Sequence, residues 1–467
     1  MSKHVTAEKD KVPLKEKIMY GAGSGSFQLA GDGVKGLSYS IFNITLLVDP
    51  AKIGFVLGLS RLIDAFTDPI MGKISDDTKS RWGRRRPYIF AGSFLVAFAF
   101  WIMWRVPMGW SPEAIFWWYM FAMIFFYLCA TIQSVPYHTL GLEMTPDYHE
   151  RTVVSSYKMF FSFLFGIGIP WVFPIAQASV FGGTMNGIRF LSWYVVVAII
   201  LGGVLPAIFV KERYYHIAQK AKKFPFFTGL KLTFQNKAFL ILTAIILTTG
   251  IGSQMVGAMG PYVCYYYMFE GDIQAGSILW AMAANAFTGG AILSLFLINW
   301  MGKNMGKLFT MRCMVVLGFV ASISKFFFYS QDHHYLLFIS QLMMAPLAAG
   351  FWTITTSMKA DICDYDELKN GARREGMFGS VGNWITKVTF AFTFGLSGIM
   401  LNVTGFNAEL GADQNPDSLF MMRVLFSTVP AVSNVLAFII LWYYPLNEER
   451  MAEIRTQLEA RRGETDE

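Results

Sequence analysis

Charge is scarce in this chain. Its 39 Lys and Arg and 32 Asp and Glu make up 15% of 467 residues, against roughly a quarter in soluble globular proteins. A soluble fold of this length needs more polar surface than that, so the several soluble domains that length alone suggests are excluded. Cysteine is scarce too: Cys129, Cys264, Cys313 and Cys363 are scattered without disulfide or metal-ligand spacing and read as reduced thiols. The net charge of +7 lies in short loops between apolar runs and not on one basic face, which excludes a nucleic-acid partner. No phosphate-binding glycine loop, metal cluster or catalytic constellation is present, so neither an enzyme nor a cofactor is expected. Residues 1–17 carry five lysines and no apolar stretch, which is not the pattern of a cleaved signal peptide.

What is abundant is apolar. Hydrophobic residues make up 54% of the chain and aromatics 16%. Twelve membrane helices of about 20 residues need about 240 such positions. Apolar runs near 18–48, 52–74, 88–107, 114–141, 153–178 and 189–210 form a first set of six. Six more lie near 237–268, 274–301, 309–330, 335–358, 376–404 and 418–445. The expected architecture is all-α: a tail (1–17), six spans (18–210), a basic loop (211–236), six spans (237–445) and a second tail (446–467). Alternate loops hold the basic residues, with Lys52 and Arg189 as exceptions, so both termini are expected in the cytoplasm of a multi-pass cell-membrane protein.

An internal repeat is visible. Glu143, Asp147, Glu150 and Arg151 close span 4; Asp361, Asp364 and Glu367, with Arg373 and Arg374 beyond, close span 10. Two halves related by an axis along the membrane normal are expected, the arrangement of major facilitator transporters.

Ionisable residues inside spans are costly and default to function. In span 2, Arg61, Asp64 and Asp68 are spaced three and four apart, on one helical face. Two carboxylates one turn apart repel unless a cation or a proton sits between them. Pro69 next to them disturbs the backbone bonding. The bland alternative, a static Arg61–Asp64 pair, leaves Asp68 unexplained.

Asp64-Ala-Phe-Thr-Asp68-Pro-Ile-Met-Gly72, with Arg81, Arg84, Arg85 and Arg86 in the loop after it, resembles the signature of the glycoside–pentoside–hexuronide:cation symporters, the melibiose permease family. Tyr20-Gly21, Pro136-Tyr137 with Glu143 and Arg151, and Ala360-Asp361 with Asp364-Tyr365 extend the resemblance nearly end to end. It implies a cation site at Asp64 and Asp68 with Thr67 and Thr131 as oxygen ligands. A Thr stands where melibiose permease has Asn, so the resemblance leaves Na⁺ and H⁺ both open; the two hydroxyls favour Na⁺. It implies coupling through Lys387, paired with the span 2 carboxylates, and through Arg61. Arg84, Arg85, Arg86, Glu143, Arg151, Asp361 and Asp364 fall at cytoplasmic gating positions.

The implied sugar positions differ. Gln28 and Ser134 replace acids, His138 replaces a tryptophan and Lys158 an arginine; Trp352 matches a cavity aromatic. Asp32 lies one turn beyond Gln28 and either supplies a displaced acid or is neutralised by Lys35. His138 is either a packing residue or a sugar contact. The expected function is cation-coupled import of a sugar, glycoside or uronide by alternating access, carried out by a monomer in the bilayer. The rivals are a lysolipid carrier on the same fold and an integral-membrane enzyme or receptor.

Overall fold

The computed structural model describes residues 8–145, 147–213, 226–371 and 374–463. Much of the expected central loop, including Lys220, Lys222 and Lys223, lies outside the described residues, as does Arg373. The described residues are helical, with no strand among them, as expected where a bilayer offers the backbone no partner and each helix must satisfy its own. The chain forms two compact units, Met1–Lys222 and Lys223–Glu467.

The long helices are numbered in chain order. The first unit holds α1 (Leu14–Ser38), α2 (Pro50–Asp77), α3 (Arg86–Met103), α4 (Pro112–Glu143), α5 (Tyr148–Gly166) and α6 (Thr184–Phe209). The second holds α7 (Lys237–Met255), α8 (Ile273–Asn304), α9 (Lys307–Phe328), α10 (Leu336–Asn370), α11 (Glu375–Val403), α12 (Pro416–Trp442) and a tail helix α13 (Glu448–Gly463). Several starts are written locally. Asp49, Ser111, Asp147, Asn236, Asp272 and Asn415 each accept a backbone N–H of the first turn. Proline comes directly after three of them, at Pro50, Pro112 and Pro416, where its missing donor costs nothing.

In the first unit α1 packs on α5 and α6, α2 on α4, and α3 on α4 and α6. In the second, α7 packs on α11 and α12, α8 on α10, and α9 on α10 and α12. Each pairing recurs six helices on, so the repeat glimpsed in the acid clusters extends to the packing. Large apolar side chains such as Leu293, Phe296, Phe392 and Trp442 stay exposed, as lipid-facing positions do. All four cysteines are free.

Ten helices among the described residues are long and apolar enough to cross a membrane. Helices α1 and α2 are not among the ten, although they run 25 and 28 residues; they have the length but are diluted by the charges that make them interesting. The run at 153–178 matches one candidate span, Glu150–Ala176, whose helix is locally irregular: α5 ends at Gly166, and a turn, Ile169–Trp171, leads into a short helix, Val172–Ala176. The segments read as loop and tail are partly helical: Phe226–Gln235 forms a short helix, and Met451, Ile454 and Leu458 of α13 are buried in the apolar core of the second unit.

Candidate functional site

The packing of α2 on α4 builds the centre of the first unit. Asp64 is buried at 4% exposure, and Asp68, one turn further along α2, is half-buried. Helix α2 continues through Pro69. Arg61 Nη1 donates to Asp64 Oδ2 at 3.1 Å, and its guanidinium lies 5.6 Å from the ring centroid of Tyr127. From α4, the Thr131 hydroxyl reaches Asp64 Oδ1 at 3.1 Å and Asp68 Oδ1 at 3.2 Å. Thr67 Oγ1 lies 3.1 Å from the same hydroxyl. One oxygen thus has three others within hydrogen-bonding distance, two of them carboxylate. A hydroxyl carries a single hydrogen, so it serves only one carboxylate at a time. A small cation or an added proton suits this cluster, because either offsets the repulsion between the two acids. No group of three or more His, Cys, Asp or Glu with metal-ligand geometry occurs among the described residues; the oxygen set is two carboxylates and two hydroxyls, donors of the kind hard cations take. Asp64, Asp68, Thr67, Thr131 and Arg61 are therefore brought together.

The expected substrate residues form two groups in this unit. On α1, the Gln28 amide donates to Asp32 Oδ2, and Lys35 Nζ lies 3.1 Å from Asp32 Oδ1. Asp32 thus pairs with Lys35 within α1. Between α4 and α5, Lys158 Nζ lies 3.1 Å from His138 Nδ1, and the His138 ring stacks on Phe27 at 5.7 Å between centroids. His138 is exposed on α4 and not packed away. Ser134 is half-buried one turn before His138. Trp352 and Lys387 belong to the second unit. Trp352 is 48% exposed on α10, edge-on to Phe351 at 5.8 Å; Lys387 is half-buried in α11.

The gating residues form a network at the start of α3. Arg85 grips Glu143 in a fork, Nε to Oε2 at 3.0 Å and Nη2 to Oε1 at 2.9 Å, and Arg84 shares that carboxylate. Arg85 also reaches Asp76 at 2.9 Å. Arg86 instead donates to the Ala207 and Ile208 carbonyls, both at 2.6 Å. Glu212 was not anticipated. Its carboxylate accepts the backbone N–H groups of Arg84, Arg85 and Arg86 at 3.0, 2.9 and 3.2 Å, filling donors that a helix start leaves open. The available signal was one acid inside a basic stretch, Lys211-Glu212-Arg213. Arg151 donates to the Thr145 carbonyl at 2.8 Å, while its neighbour Glu150 pairs with Lys17 at 2.7 Å. In the second unit Asp361 pairs with Lys307 at 2.6 Å. The partner of Arg374 is Asp366, at 2.5 and 2.8 Å, an acid not singled out beforehand. The turn at Gly371, with φ of 71°, folds Arg374 back beneath α10. Asp364 is half-buried nearby in sequence.

Long apolar helices with a few charges buried within each unit define a multi-pass membrane protein. Residues 19–448 match the family described as MFS/sugar transport protein, and the chain belongs to it. It is a cell-membrane transporter and not an enzyme, within the glycoside–pentoside–hexuronide:cation branch that the α2 motif resembles. Among its relatives is the glucuronide carrier protein homolog of Escherichia coli, 24% identical over 89% of each chain. Another is the sodium-dependent lysophosphatidylcholine symporter 1 of Mus musculus, 22% identical over 98% of this chain and 90% of the relative. The fold matches the crystal structure of a D-xylose-proton symporter at a TM-score of 0.65 and 14% identity, covering 92% of this chain and 98% of that one.

Proposed function

We propose that the protein is a symporter that couples entry of a cation, Na⁺ in preference to H⁺, to uptake of a sugar, glycoside or uronide. In this reading α1 and α2 are the remaining two of twelve spans, 18–210 and 237–445 are the six-helix halves, both termini are cytoplasmic, and the working unit is a monomer. The observation that carries the reading is the Thr131 hydroxyl shared between Asp64 and Asp68. Two acids and two hydroxyls around one point can replace part of the hydration shell of Na⁺. Cation binding would neutralise charge held with Arg61, and Lys387 has the coupling role in the second unit. Coupling is reciprocal: sugar tightens the cation as the cation tightens sugar. Arg84, Arg85, Arg86, Glu143, Arg151, Asp361 and Asp364 brace helix ends that move during alternating access.

Gln28, Asp32, Ser134, His138, Lys158 and Trp352 are assigned to substrate. Lys35 pairs with Asp32, and Lys158 has no acidic partner among the described residues; its neighbour is the His138 ring. A cation so placed favours an acidic sugar. A relative named as a glucuronide carrier supports the same direction. The second reading, an amphiphile carrier, is favoured by the lysophosphatidylcholine symporter relative, which aligns over 98% of this chain. Uptake of labelled glycosides, glucuronides and lysolipid into proteoliposomes, with a Na⁺ gradient or with a proton gradient, tests the proposal. Accumulation of a sugar driven by Na⁺ supports it. Uptake indifferent to Na⁺ and collapsed by a protonophore reverses the choice of ion, and uptake of lysolipid alone refutes the substrate.

A further inference from the structure

Two arginines meet at the end of the first unit remote from the Arg85–Glu143 network. Arg105 lies just past α3, and the 18 residues of that helix put it about 27 Å from Arg86 along the axis, close to a hydrocarbon thickness. Arg105 Nη2 donates to the Arg189 carbonyl at 3.1 Å, and Arg189 Nη2 donates to the Val106 carbonyl at 2.5 Å. Neither guanidinium has an acidic partner among the described residues. The Nε atoms of both, and the indole N–H of Trp101, are buried without a partner. Burial and the positive charge of Arg189 pull the Arg105 guanidinium below its usual range. The Arg105 guanidinium lies 4.7 Å from the Trp101 centroid and 5.7 Å from that of Trp193. Trp101 continues onto Phe98, at 6.2 Å between centroids. Phe98 and Trp193 are 50% and 52% exposed, so the shelf opens outward.

The second unit repeats the device on α9 and α12. Arg423 Nη2 donates to the Phe326 carbonyl at 2.6 Å, its guanidinium lies 3.9 Å from the Tyr267 centroid, and its Nε is buried without a partner. Lys325, one residue before Phe326, lies 4.3 Å from the Phe426 centroid. Tying two helix ends needs one arginine and one carbonyl; the second cation is surplus to that task. These cations also lie on the side whose loops hold almost no other basic residue, where topology gives them no reason to be.

We propose that Arg105 and Arg189 form a headgroup site for an acidic phospholipid, with its acyl chains on the Phe98–Trp101–Trp193 shelf. Paired guanidiniums match phosphate oxygens in a fork, and tryptophans sit at headgroup depth. A free phosphate would satisfy the same donors but would leave the apolar shelf uncovered.

The test uses the purified full-length protein in detergent, with bound lipid counted by native mass spectrometry. Phosphatidylglycerol should be retained in preference to phosphatidylcholine. Arg105→Gln spares the bond from Arg189 to Val106 and should weaken phosphatidylglycerol binding about tenfold or more, the value of one charge-assisted hydrogen bond. Binding to the wild type should also fall as NaCl is raised, through screening, a readout that needs no variant to fold. Equal retention of the two lipids, an unchanged affinity in Arg105→Gln, or salt-independent binding would overturn the proposal. Displacement of the lipid by an equal concentration of inorganic phosphate would assign the site to a free anion and overturn it as well.

Discussion

Replacing Asp68 by Asn tests the cation site most directly. The Oδ1 atoms of Asp64 and Asp68 lie 3.1 and 3.2 Å from one Thr131 oxygen, so they are no more than about 6.3 Å apart. At an effective dielectric of about 20, two negative charges at that separation repel by at least about 2.6 kcal/mol. A bound cation relieves that repulsion, and Asn removes it beforehand. Asp68 is half-buried, and Arg61 already offsets part of the charge on Asp64, so solvent screening reduces the difference to about 1.4 kcal/mol, or tenfold in affinity. With Na⁺ at ten times its dissociation constant, the stabilisation of the wild type is about 1.4 kcal/mol and that of Asp68→Asn about 0.4 kcal/mol. For a chain of this size the difference of about 1 kcal/mol moves the unfolding midpoint by about 1–2 °C. Thermal scans of purified protein in NaCl and in choline chloride, at constant ionic strength, read it. The wild type should gain stability specifically from Na⁺, and Asp68→Asn should gain only about a third as much. An undiminished Na⁺ response in Asp68→Asn would refute the reasoning.

Glu143→Ala leaves Arg85, 2% exposed, without its forked partner and should destabilise the first unit by about 3–5 kcal/mol, read as an earlier thermal transition. Gly92→Ala puts a methyl 2.8 Å from Gln133 Cβ and 2.9 Å from its backbone nitrogen. The overpacking between α3 and α4 should cost about 1–3 kcal/mol in the same assay. Lys158→Gln should weaken inhibition by glucuronides about ten- to a hundredfold, the range of a charge-assisted bond, and leave neutral glycosides less affected. Equal loss of both in competition assays would remove Lys158 from substrate recognition.

Local spacing and composition were enough for much of this protein. Ten long apolar helices among the described residues arise from runs that cannot stay in water, and five of them start at an Asp, Ser or Asn cap ahead of the first turn. The Arg61–Asp64 and Lys35–Asp32 pairs come from residues three apart on a helix, a distance that helical geometry alone sets. The α2 motif was legible for the same reason, since Asp64 and Asp68 share a face before any other helix arrives. The same charges lowered the apolarity of α1 and α2, so composition alone undercounts the helices that carry the site.

Tertiary structure decided which distant groups complete each cluster. Thr131 comes to Asp64 from 67 residues away, Glu212 to the start of α3 from 128 residues away, and Arg189 to Val106 from 83. Nothing in the spacing of those residues encodes the meeting, because it depends on which faces of α2 and α4, or of α3 and α6, are buried together. Asp366 near the end of α10 accepts Arg374 at the start of α11, eight residues on. Pairing across helices is a property of packing, which draws on side chains all along two faces at once, whereas a helix and its cap are settled within one or two turns.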